Sequence, residues 1–157
     1  MRELNVVEVR LDDEQGSPVL ILKESDGERQ VAIWMSAAGA AGILGALQEA
    51  DPDHPSSHEL ILALIASLDG EVSVAHIVGH QNGVFYAELI VEGRPVNARP
   101  SDAIALALRA EVAIKVADAV LDAVGVAPDP EQPPIGEDQV QEFRQFLDSV
   151  NPDDFSS

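Results

Sequence analysis

Asn97-Ala98-Arg99-Pro100-Ser101-Asp102-Ala103-Ile104-Ala105-Leu106-Ala107-Leu108-Arg109 reads as the end of a strand passing directly into a helix. Ala103, Ile104, Ala107 and Leu108 fall at helical spacing and give that helix one buried face. Pro100 is tolerated only near a helix start, where its missing N–H costs nothing. Ser101 and Asp102 suit a first turn, one as a side-chain acceptor and one as a negative charge matched to the helix dipole. Arg99 and Arg109 bracket the helix in a chain with only nine cations.

Outward from this stretch the chain repeats itself. Upstream lie strands over Glu71 to Val78 and Val84 to Val91, joined through Gln81-Asn82-Gly83, then a turn at Glu92-Gly93 and a strand from Pro95 to Arg99. The same order occurs earlier: strands Leu4 to Leu11 and Pro18 to Lys23, a turn at Asp26-Gly27, a strand Gln30 to Met35, and a helix from Ser36 to about Glu49. Matching Ser36 with Ser101 gives an offset of 65 residues, which sets Trp34 against Arg99 and Ala40 against Ala105. The expected fold is α+β: two pseudo-repeated strand-rich units, each followed by a small-residue helix packed on a mixed sheet. A helix opening at Ser56 or Ser57 is apolar nearly all round, which predicts burial. A short strand at Ala113 to Val116 and a short helix at Asp118 to Val124 follow. The domain is expected over 1–126, with a proline-rich linker over 127–136 and a helical tail over 137–157. In that tail Val140, Phe143 and Leu147 give Asp138 to Val150 an amphipathic pattern.

Composition narrows the function. Twenty-eight acids against nine cations give a net charge of −19, which repels nucleic acid at long range, so such a partner needs a local cationic patch or a metal. The absence of cysteine excludes disulfides, zinc–thiolate sites and thiol catalysis. No apolar run approaches membrane-spanning length and the N-terminus has no signal-peptide pattern, so the expectation is a cytoplasmic protein with no membrane partner.

The chemistry-bearing residues gather near the opening stretch. Arg99 has the planar fork that clamps a phosphate, beside helix N–H groups that favour anions. Asp102 could bind a divalent metal or orient a water; equally, Ser101 and Asp102 could simply cap the helix while Asp102 pairs with Arg99. His58 could act as a general base or be held by its loop. Glu59 beside it is a dipole-favoured acid or a ligand, and Arg109 balances a helix C-terminus or binds. His54, His76 and His80 lack metal-ligand spacing. Phe85-Tyr86 on a strand could be core and rim, or could stack a base.

Several of these residues together resemble the bifunctional nuclease family, bacterial and plant proteins credited with cutting both DNA and RNA. The likeness rests on Ala98-Arg99-Pro100-Ser101-Asp102-Ala103 through Ala107-Leu108-Arg109, on Gly83-Val84-Phe85-Tyr86-Ala87, on Ile33-Trp34 and on Ser57-His58-Glu59-Leu60. Phe143 to Leu147 and Pro152 to Phe155 are similar to a tail seen in some members. The resemblance implies a nuclease hydrolysing phosphodiester bonds, with nucleic acid as partner; a divalent cation such as Mg at Asp102 and self-association are separate expectations. His58, Arg99 and Asp102 are then the catalytic candidates, with Ser101, Arg109 and Glu59 as binding candidates. Three positions depart from the family pattern: His54-Pro55 where Arg-Pro is usual, Gly39 where an acid is usual, and Ser57 where Thr is usual. Those losses motivate the alternative of a non-catalytic binding or regulatory module on the same fold.

Overall fold

The computed structural model describes residues 1–14, 16–128 and 145. The elements are β1 (Arg2–Leu11), β2 (Pro18–Glu24), β3 (Gln30–Trp34), α1 (Ala37–Ala46), α2 (Ser57–Ser67), β4 (Val72–Gln81), β5 (Val84–Val91), β6 (Arg94–Ala98), α3 (Pro100–Ala110), β7 (Ala113–Val116) and α4 (Asp118–Val124). They form the expected α+β fold around one seven-stranded sheet of order β3-β2-β1-β7-β4-β5-β6. Two antiparallel meanders, β1-β2-β3 and β4-β5-β6, flank β7, which runs parallel to β4 and antiparallel to β1. Each meander ends in a helix, α1 or α3.

Local chemistry sets the turns. Asn82-Gly83 and Glu92-Gly93 each join strands in two residues, with positive φ at both positions (52° and 80°, 51° and 72°). That is the type I′ geometry whose twist matches the flanking strands. The first meander closes differently. Its β2–β3 loop is held by the Arg29 guanidinium, whose Nε donates to Glu24 Oε2 at 3.0 Å and whose Nη1 reaches Asp122 on α4 at 2.8 Å.

The core is aliphatic. Leu20, Leu22, Val31, Ile43, Ile77, Ile104 and Leu121 are sealed between the sheet and its helices. α3 lies on β4, β5 and β7, α1 lies on β2, and α1 packs against α3. Seven strands about 4.8 Å apart would put the edges of a flat sheet roughly 29 Å from each other. Yet the residues following edge strand β3 and those following edge strand β6 line the same cavity. The sheet therefore curls around its helices and brings its edges together.

Two expectations are corrected. First, α2 is not buried: none of its residues is, and Leu60, Leu64 and Leu68 are 54%, 55% and 81% exposed. The sheet face is already occupied by α1 and α3, so α2 has only their outer flank, where Leu62 and Ile65 pack. Second, the helix caps realign the repeat. The N-caps are Ser36 and Arg99, both extended (φ −69° and −67°), so the offset is 63 residues rather than 65. Arg99 is the counterpart of Ser36, not of Trp34, and Asp102 is the counterpart of Gly39. The linker and tail fall outside the described residues, apart from 127, 128 and 145.

Candidate functional site

Arg99, Asp102 and His58 converge. Arg99 caps α3 with its backbone while its side chain folds back on the first turn. Its Nε donates to Asp102 Oδ2 at 2.6 Å and its Nη2 to Asp102 Oδ1 at 3.1 Å. This is a fork-on-carboxylate pair three residues apart. From α2, His58 Nε2 lies 3.1 Å from the same Oδ1. Burial would raise the Asp102 carboxyl, but the hydrogen bonds from Arg99 and His58 together outweigh it and hold it below the usual carboxylate range. Asp102 in turn holds the Arg99 guanidinium above its ordinary value.

His58 is placed by its sequence neighbours and by a glycine. Ser56 and Glu59 form a capping box: Ser56 Oγ accepts from the Glu59 N–H at 3.2 Å, and Glu59 Oε2 accepts from the Ser56 N–H at 2.6 Å. That fixes the first turn of α2 and presents His58 to α1. There Gly42 provides the seat, since a Cβ at that position would come within 2.6 Å of His58 Cε1. Gly39 does the same for the crossing of α1 and α3, where a Cβ would meet Ser101 Cβ at 2.8 Å. The small-residue run of α1 signalled close approach; which glycine serves which neighbour depends on the packing.

The other sequence candidates separate. Ser101 is buried at the α1–α3 crossing and borders the cavity. Arg109 directs Nη1 to Gln48 O at 2.8 Å and Nη2 to Gly45 O, completing the C-terminal carbonyls of α1 as a basic group does there. Glu59 Oε1 stands 3.7 Å from Arg109 Nη2. Glu59 and Arg109 thus tie α1, α2 and α3 together, and neither lines the cavity.

The open cavity has a volume of about 740 Å³. Ser36 and Ser101, at the starts of α1 and α3, border it together with Arg99, while Asp102 and His58 lie outside its lining. Arg99 is therefore the hinge between two environments: the hole on one side, the Asp102–His58 pair on the other. The donor set around Asp102 does not fit a divalent cation. Two of its neighbours are the Arg99 guanidinium and the His58 ring, and among the described residues no group of three or more His, Asp or Glu side chains is arranged to hold a metal ion.

Fold and site together define a small α+β domain with an arginine at a helix start, held by an aspartate–histidine pair beside an open cavity. The bifunctional nuclease domain matches residues 20–129 of this chain. Two Mycobacterium tuberculosis proteins, from strains CDC 1551/Oshkosh and H37Rv and each named an uncharacterized protein, are 42% identical over 163 aligned residues, spanning 100% of this chain and 99% of theirs. The chain belongs to the bifunctional nuclease domain family. No helix among the described residues is long and apolar enough to cross a membrane.

Proposed function

We propose that this protein is a nuclease hydrolysing phosphodiester bonds of DNA or RNA, with Arg99 as phosphate anchor and Asp102–His58 as the proton-handling pair. The observation that carries it is the shared carboxylate: Asp102 bonds both Arg99 and His58, so one group fixes the phosphate clamp and the base in register. With Nε2–H donated to Asp102, Nδ1, on the ring edge that faces Gly42, is the nitrogen left to accept a proton of the attacking water. Arg99, backed by the free N–H groups at the start of α3, stabilises charge growing on the phosphate oxygens. No step passes through a metal, since the residues around Asp102 do not suit one. Nucleic acid is the partner, a cytoplasmic setting goes with it, and the uncharged, exposed Leu60 and Leu64 of α2 with its C-cap Leu68 favour self-association.

The test is cleavage of single-stranded DNA, duplex DNA and RNA by the full chain, with and without chelator. Wild type should cut in both conditions, and Arg99→Ala and His58→Asn should each lose about 100-fold or more. A second reading, a non-catalytic binding module, is favoured by one observation: His58 and Asp102 lie outside the cavity lining. A chain that cuts none of the three substrates, with chelator or with added Mg²⁺, leaves that reading standing.

A further inference from the structure

The distribution of aromatic rings is uneven. Every Phe, Tyr and Trp among the described residues, namely Trp34, Phe85 and Tyr86, lines one cavity; Phe85 is half-buried and also packs against the core, whereas Trp34 and Tyr86 do not. Trp34 and Tyr86 are each 50% exposed, while the fully buried side chains among the described residues are aliphatic. The rings are held rather than loose. Trp34 Nε1 donates to Asp12 Oδ2 at 2.8 Å, and Phe85 packs on His80 with ring centroids 4.5 Å apart. The charge is uneven too. In a chain with 28 acids, no Asp or Glu is among the described residues lining the cavity, and Arg99 is the cation there.

From this juxtaposition we propose that the cavity is a base-stacking pocket that takes one unpaired nucleotide, its base against Trp34 and Tyr86 and its phosphate on Arg99. The proposal rests on the reading of Arg99 as a phosphate anchor and names the form of substrate the site accepts. Stacking is sequence-tolerant because every base has a π-face, and it is open only to a base that has left a duplex. A duplex, by contrast, is held by many cations along its backbone, which a surface of net charge −19 does not supply. A cavity of about 740 Å³ lies inside the range of small-molecule sites, about 300–1,000 Å³.

Trp34 is the single tryptophan of the chain, so its fluorescence reports on the pocket directly. The experiment titrates the full chain with AMP, adenosine and ribose 5-phosphate, following Trp34 emission and binding heat. AMP should quench Trp34 saturably, and ribose 5-phosphate at the same concentrations should not. Tyr86→Ala, an exposed position, should weaken AMP about tenfold or more, the scale of one lost stacking contact. Arg99→Ala should weaken AMP while leaving adenosine unchanged. Equal binding of AMP and ribose 5-phosphate, no AMP binding, or AMP affinity unmoved by Tyr86→Ala each overturns the proposal. Its failure is separable from that of the nuclease reading. A chain that binds AMP in this pattern and cuts nothing keeps the pocket and removes the nuclease, whereas a chain that cuts but does not bind AMP does the reverse.

Discussion

The two meander–helix units solve the same packing problem with opposite chemistry. α1 opens on Ser36, whose Oγ accepts from the Gly39 N–H at 3.1 Å, a self-contained cap with glycine at the third helical position. α3 opens on Arg99, which makes no side-chain cap, and carries Asp102 at that third position. One unit gives up side chains so that its twin can use them: Gly39 makes room for Ser101, and Gly42 seats the imidazole that Asp102 binds. A repeated element order is therefore compatible with a one-sided site, because glycine on one copy is the space occupied by function on the other.

The largest expected effect breaks the comparison at its caps. Arg99→Lys keeps the charge and loses the planar fork, so cleavage should fall about 100-fold although the fold is retained. Ser36→Ala at the equivalent position should cost about 1 kcal/mol in denaturant unfolding, the scale of a lost N-cap.

Gly39→Ala is next. Its new Cβ meets Ser101 Cβ, an atom fixed to the α3 backbone, at 2.8 Å. Overpacking of about 1–3 kcal/mol should exceed the gain of up to about 1 kcal/mol in helix propensity. Adding Ser101→Gly should restore part of the loss, read as a coupling in a double-mutant cycle.

Gly42→Ala should cost less in stability, because the atom it strikes belongs to a side-chain ring that can rotate, but it should lower cleavage by displacing His58. Gly45→Ala is the contrast within the same helix. Nothing stands within 4 Å of its Cβ, so thermal unfolding should show a gain of up to about 1 kcal/mol.

A further test uses acid. The Asp102 carboxyl is depressed in the folded protein, so its contribution is present above its unfolded value, near 3.8, and is lost as pH falls through the lower folded value. Asp102→Asn should cost about 1–2 kcal/mol at neutral pH and flatten the acid limb of the stability curve below about pH 5. An unchanged acid limb in the variant would mean that Asp102 does not hold Arg99 and His58 in solution.

What the sequence determined by itself is local. Strand–turn–strand order, the Asn82-Gly83 and Glu92-Gly93 hairpins, a serine cap at Ser56 or Ser57 and the Arg99–Asp102 spacing all follow from chemistry between near neighbours in the chain. The repeat was legible too, but its register was not: the shared serine suggested 65 residues, whereas a cap is defined by backbone angles that Ser36 and Arg99 share. Tertiary structure alone decided the rest. His58 meets Asp102 across 44 residues of chain, and Trp34 joins Tyr86 only because the sheet curls until its edges face one cavity. The exposure of α2 was likewise invisible in its composition. An apolar helix is buried only if a face remains to bury it, and here α1 and α3 had already taken the sheet.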